Sequence, residues 1–396
     1  MDFGRQQMSV SKRFTGAEDE LHASASAAAG LTDFGSSAEY RPGLTQLLNA
    51  LDEDGPRFAP GGREFAWNAV VGALVSRLTL VEGLRKHADV LSRTPRRPLV
   101  ITGIPRTGTT ALHKLLSVDP QFQGLEKWLT VFPQPRPPRD TWTSHVQFQA
   151  TAAGLEAFFR SAPEMRAAHN IVADEVDECL EILKQGFCSN LWGSSFRVPQ
   201  YDRWWREQSE LPAYRYLAKT ISLIGARDSE KTWLLKNPGH LMQLPALFEV
   251  FPDACVVQTH RDPVAALPSL ASVLAMARRI SEGEQVDRHE IGRRELDNWA
   301  RASEAAIAAR ASLPNRQFLD IRQADFHADP IGTMTRIYGH FGFGLTAETM
   351  EAMRRRVKQS PERAYGAHRY AQDEFGLAPA AIRERFSRYM TTYGLH

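Results

Sequence analysis

Residues 98–117 read PLVITGIPRTGTTALHKLLS, and no other stretch restricts the fold so tightly. Leu99 to Gly103 are short and almost wholly apolar, the pattern of a parallel strand covered on both faces. Gly103 and Gly108 then bracket four residues, and a helical apolar pattern begins at Thr109. A strand feeding a glycine turn and then a helix converges backbone N–H groups and a helix N-terminus on one anion. Thr107, Thr109 and Thr110 add hydroxyls around Gly108, and Arg106 adds a planar fork of donors matched to phosphate-like oxygens. The spacing approaches that of a nucleoside-triphosphate loop, which needs Lys followed by Ser or Thr at positions 109 and 110. Thr109 stands where that Lys belongs, and the later strand ending in THRD leads with basic groups rather than a magnesium ligand. A P-loop kinase or other nucleotide-dependent phosphotransferase is therefore the alternative reading, not the leading one.

Three further strands are predicted: TWLLK ending at Lys236, ACVVQTH, and one within QFLDIRQADFHADP. Helical patterns separate them, so the expected fold class is α/β, a P-loop-like parallel sheet flanked by helices on both faces. Residues 1–39, rich in Ser, Ala and Gly, are expected to be partly mobile. Residues 40–396 are expected to form one α/β domain. Residues 128–227 are expected to be a mainly helical insertion that shapes an acceptor pocket. That insertion holds Phe158, Phe159, Phe187, Trp192, Phe196, Tyr201, Trp204 and Trp205, some of which would line an apolar cleft.

A net charge of +2 gives no global signal for nucleic acid, although clustered arginines could still serve one anionic ligand. Cys179, Cys188 and Cys255 follow no metal or disulfide spacing, which fits a reducing cytoplasm. The N-terminus has no apolar signal core, and no run of 18 apolar residues suggests a membrane span.

A second basic group follows the third of these strands. Arg261 closes it, and Ser269 lies eight residues later on the next helix. The two could share one phosphate, or Arg261 could cap a turn and pair with Asp262. Lys236 and His240, in LLKNPGHL, sit beyond another strand end, where ligands of parallel sheets bind. A His can accept a proton at neutral pH, and a Lys can neutralise developing negative charge. Alternatively, His240 caps the helix that follows. Glu126 and the acidic run Asp174, Glu175, Asp177 and Glu178 are alternative sources of a base.

PRTGTT resembles the 5′-phosphosulfate loop of the cytosolic-type sulfotransferases, in the form of their bacterial branch, where Arg takes the usual Lys slot. The resemblance runs from about Pro42 to Leu395 and is strongest at Ile101–Leu116, Leu234–Ala266 and HRYAQDEFGL. It implies sulfuryl transfer from 3′-phosphoadenosine-5′-phosphosulfate (PAPS), leaving 3′-phosphoadenosine-5′-phosphate, without a metal. It implies that Arg106, Thr107, Gly108, Thr109 and Thr110 hold the 5′ end, and that Arg261 and Ser269 hold the 3′-phosphate. Lys236 becomes the electrostatic stabiliser and His240 the base, with a carboxylate such as Glu126 as the other choice. The family's Gly-x-x-Gly contact to the 3′-phosphate has no obvious counterpart, and Arg363, His368 and Arg369 are candidates for its role. The implied acceptor is a small or lipid-like alcohol or phenol. A homodimer is compatible with the resemblance, though the sequence carries no interface motif.

Overall fold

The computed structural model describes residues 13–53, 58–92, 94–168, 170–359 and 372–395. Five strands form one sheet: β1 (Leu99–Gly103), β2 (Phe122–Gln123), β3 (Thr232–Lys236), β4 (Cys255–His260) and β5 (Phe318–Arg322). Their order is β2-β3-β1-β4-β5 and every pairing is parallel. The four strands expected from sequence are all present. The two-residue β2 was not expected, because so short an edge strand carries no periodicity to read.

The apolar run of β1 is explained by packing on both faces. Leu99 and Ile101 point into a layer with Leu112, Leu116 and Ile337, while Val100 points into the opposite layer with Ile221, Leu247 and Ala266. Alternate side chains of a strand face opposite sides, so a strand between two helical layers must be apolar throughout. All of β1 and β4 is buried. Parallel pairing also puts the C-terminal ends of β3, β1 and β4 along one edge. In that register Ile101 lies opposite Lys236, and Gly103 opposite Thr259.

Within the N-terminal segment the described residues form packed, partly helical structure. Glu18–Ala29 is a helix whose first turn carries Glu18, Asp19 and Glu20, which favour a helix N-terminus, and it ends at Gly30 in the left-handed region. Phe14 and Leu21 are fully buried against Trp67, Val70 and Leu74 of the helix Gly62–Lys86. The Ala-rich composition was helix propensity rather than disorder.

Residues 128–227 are helical over much of their length, but their aromatics build core. Phe187, Trp192, Phe196, Tyr201 and Trp205 pack into the same cluster as the N-terminal helices. Phe187 stacks on Trp192 with ring centroids 5.4 Å apart. At these five positions the aromatics supply a second hydrophobic core. Two helices, Gly62–Lys86 and Pro263–Glu282, lie in stretches long and apolar enough by composition to cross a membrane, and about half of each stretch is buried inside the fold.

Candidate active site

The loop after β1 has an unusual backbone. Gly103 has φ 144°, Gly108 has φ 91°, and Arg106, a non-glycine residue, has φ 68°. A Cβ on Gly103 would meet the Thr259 carbonyl oxygen at 2.4 Å, so only glycine fits between β1 and β4 there. The helix Thr109–Leu116 begins directly after Gly108. Its first N–H groups have no intrahelical acceptor and face the loop, which makes the turn a cradle for an oxyanion.

Residues of the two basic groups expected from sequence to clamp anions meet in the structure. Arg106 Nε donates to Ser269 Oγ at 3.1 Å, and Arg261 Nη1 donates to the Arg106 carbonyl at 2.9 Å. Arg261 does not settle into the alternative pairing with its neighbour. Asp262 instead accepts from the Val264 N–H at 2.9 Å, capping the helix Pro263–Glu282, and pairs with Arg383 at 3.5 Å. Arg106, Arg261 and Ser269 therefore form one basic, hydroxyl-bearing corner at the ends of β1 and β4.

Lys236 occupies the end of β3 with only 2% of its surface exposed. Its Nζ is paired with the Glu178 carboxylate and lies 3.4 Å from Thr110 Oγ1. The backbone explains how Glu178 reaches it: the Cys179 N–H donates to the Lys236 carbonyl at 2.9 Å, pinning the acidic run to the strand end. The other members of that run are held elsewhere. Asp174 pairs with Arg139, Glu175 with Lys114 and Arg356, and Asp177 with Lys127. Glu178 alone among them meets Lys236, a distinction that sequence spacing could not make.

His240 is placed differently from the expectation. It sits in the short turn Pro238–Met242, is fully buried, and its Nδ1 lies 2.7 Å from the Tyr214 hydroxyl. Burial pushes its pKa down to about 3. An imidazole that resists protonation this strongly is a poor proton acceptor near neutral pH. Its backbone carbonyl does accept from Gln243 N–H at 3.0 Å, in keeping with a structural part in the turn. Tyr214 carries no sequence signal for this role, because it sits in an ordinary amphipathic helix, Leu211–Ile224.

Glu126 does not join the cluster. Its carboxylate is bound by Arg136 at 3.1 Å, and it lines a charged cavity of about 650 Å³ beside β2 that also includes Lys114, Glu175 and Arg356. Arg363, His368 and Arg369 lie outside the described residues. Among the described residues, no group of three or more His, Cys, Asp or Glu could hold a metal ion.

Residues 98–347 match the sulfotransferase family. The chain belongs to that family. The crystal structure of sulfotransferase STF1 from Mycobacterium tuberculosis is similar over 95% of this chain and 100% of that one, with 36% identity and a TM-score of 0.86. The sulfotransferase STF9 structure from Mycobacterium avium is similar over 96% of this chain and 97% of that one, with 27% identity and a TM-score of 0.87. A curated relative, the omega-hydroxy-beta-dihydromenaquinone-9 sulfotransferase Stf3 of Mycobacterium bovis, is 26% identical over 266 residues. That match spans 66% of this chain and 66% of the relative's own length. The parallel α/β fold expected from sequence is the fold of the two mycobacterial structures.

Proposed function

We propose that this chain transfers a sulfuryl group from PAPS to a hydroxyl of a small or lipid-like acceptor. The observation that carries the reading is the convergence of Arg106, Lys236, Arg261 and Ser269 at three adjacent strand ends, with Arg106 Nε 3.1 Å from Ser269 Oγ. A donor phosphorylated at both ends needs two anion clamps within one crevice, and a parallel sheet offers such a crevice at its C-terminal edge. The curated relative, named for a hydroxylated dihydromenaquinone, supports an alcohol as acceptor.

In this reading the glycine loop and the N-terminus of the helix Thr109–Leu116 grip the 5′ end, and Arg261 with Ser269 grips the 3′-phosphate. The donor supplies the sulfuryl group and leaves as the bisphosphate. Arg106 and Lys236 neutralise negative charge that grows on the leaving oxygen. Glu178, beside Lys236, takes the proton of the acceptor hydroxyl. We favour it over His240, whose burial disfavours taking up a proton, and over Glu126, which lies with Arg136 in the cavity beside β2 rather than next to Lys236. The three thiols, all free, are in keeping with a cytoplasmic site of action.

Calorimetric titration with 3′-phosphoadenosine-5′-phosphate tests the donor assignment. Each of Arg106→Ala and Arg261→Ala should weaken binding by about 10- to 100-fold, the worth of a hydrogen bond to a charged group. Tighter binding of magnesium–ATP, or no binding of either nucleotide by folded protein, would move the chain to the phosphotransferase reading or to a non-catalytic role.

A further inference from the structure

Three buried threonines run across the ends of the strands that carry the site. Thr107, Thr259 and Thr102 are 1%, 2% and 0% exposed. Thr107 Oγ1, in the anion loop, lies 2.7 Å from the Ile104 carbonyl and 2.5 Å from Thr259 Oγ1 of β4. Thr259 Oγ1 lies 3.2 Å from the Thr102 carbonyl of β1. Thr102 Oγ1 lies 3.1 Å from the carbonyls of both Asn237 and Pro238, in the turn directly after Lys236, and shares its one proton between them. The path therefore leads from the loop, through β4 and β1, to the residue that follows Lys236.

The proton count orders these contacts. Thr107 and Thr259 have one hydroxyl proton each, yet together they make three contacts. Thr259 donates to the Thr102 carbonyl, and the single Thr107 proton is shared between the Ile104 carbonyl and Thr259 Oγ1. The 3.2 Å contact to Thr102 is the weak joint. Thr259 is thus the group that holds the loop to the sheet. It also sits where Gly103 leaves no room for a side chain, 2.6 Å from the position a Cβ would take.

A second observation shows why the loop needs holding. Arg106 adopts φ 68°, a conformation that a non-glycine residue leaves unless its surroundings over-determine it. Its carbonyl is gripped from outside by Arg261, at 2.9 Å, and by Gln323, at 3.3 Å. From inside, the next residue is gripped by Thr259. We propose that Thr259 is a positioning residue: its hydroxyl keeps the anion loop in its binding shape and links that loop, through Thr102, to the turn that sets Lys236. Binding at the 5′ end and placement of Lys236 are then coupled. The inference rests on the donor reading above.

The test uses the full chain with 3′-phosphoadenosine-5′-phosphate as probe. Thr259→Ala should weaken binding about tenfold, the scale of one buried hydrogen bond, while Thr259→Ser restores it. Thr220→Ala is the control, since Thr220 is fully buried and its hydroxyl bonds only within its own helix, to the Tyr216 carbonyl at 2.8 Å. It should lower stability without changing affinity. Hydrogen exchange supplies the second readout. In the wild type, the bisphosphate should slow exchange both in residues 104–110 and in residues 237–242. Thr102→Val, which cuts the far link, should keep protection of the loop and lose it in residues 237–242. The proposal is overturned if Thr259→Ala binds as tightly as wild type, or if Thr102→Val retains protection of both segments. Failure of the wild type to bind any bisphosphate removes the donor reading and this one with it.

Discussion

His240 is the residue whose expected role and observed environment differ most, and that difference can be weighed by pH. In the fold its pKa is held near 3 by burial, against 6.5 for an exposed imidazole. The folded pKa is depressed, so the unfolded chain takes up a proton that the folded chain refuses. Stability from this group is full above pH 6.5 and is lost as pH falls, until the folded state also protonates near pH 3. At about pH 5.5 the loss from this single His is about 1.4 kcal/mol, and at about pH 7.5 it is below about 0.1 kcal/mol. His240→Gln keeps a polar partner for Tyr214 but cannot titrate. Urea unfolding of both proteins at the two pH values isolates the contribution. The wild type should lose about 1.3 kcal/mol more than the variant on acidification. Other titrating groups, including the similarly buried His113, are common to both proteins and cancel in the difference. Equal pH dependence in the two proteins would show that His240 is neither buried nor held neutral. The case against it as the base would then fall.

Other outcomes follow from the same geometry. Glu178→Gln should lower turnover about 10²- to 10⁴-fold, as expected when a general base is removed, while bisphosphate affinity measured by calorimetry stays within a few-fold. Turnover unchanged in Glu178→Gln would refute its assignment. Gly103→Ala forces a Cβ to within 2.4 Å of the Thr259 carbonyl and should abolish bisphosphate binding or folding, seen by calorimetry and circular dichroism. Glu210 is buried, accepts from Trp205 Nε1 at 2.7 Å, and has its pKa raised to about 7 by burial. Its raised folded pKa makes its contribution largest at low pH and removes it as pH rises through about 7. Glu210→Gln should therefore raise the melting temperature at alkaline pH and lose that advantage towards acid pH. Arg294 lies between Asp202, at 2.6 Å, and Glu295 in the core. Arg294→Ala should cost about 3–5 kcal/mol in urea unfolding, because it leaves two buried carboxylates without their cation.

The strand-turn-helix around the loop after β1 was legible because its geometry is local. Gly103, Gly108, the threonines and Arg106 are consecutive, and each follows from what a strand-turn-helix must do around an oxyanion. The buried parallel strands were legible for a similar reason: only a strand covered on both faces reads as unbroken apolar residues, as LVITG does. The nearness of Arg261 and Ser269 to the loop after β1 was suggested by sequence since one strand end and its following helix carry both. The N-terminal helix was not legible because Ala and Ser are common to helices and to mobile segments. Only the burial of Phe14 and Leu21 against another helix separates the two.

What the sequence by itself determined is thus the set of groups that its own local geometry assembles: the glycine loop, the strand ends and the basic residues on them. Which carboxylate meets Lys236 was decided only by tertiary structure. Five carboxylates in Glu126 and residues 174–178 look alike in one dimension. Packing ties Glu126 to Arg136, Asp177 to Lys127 and Glu178 to Lys236. The fate of His240 and of the aromatics was decided in the same way. Burial depends on what the rest of the chain brings alongside, and residues far apart in sequence, such as Tyr214 beside His240 or Phe187 beside Tyr40, supply those neighbours. Desolvation and pairing act through space, so the titration and reach of a side chain are properties of the fold rather than of the motif that contains it.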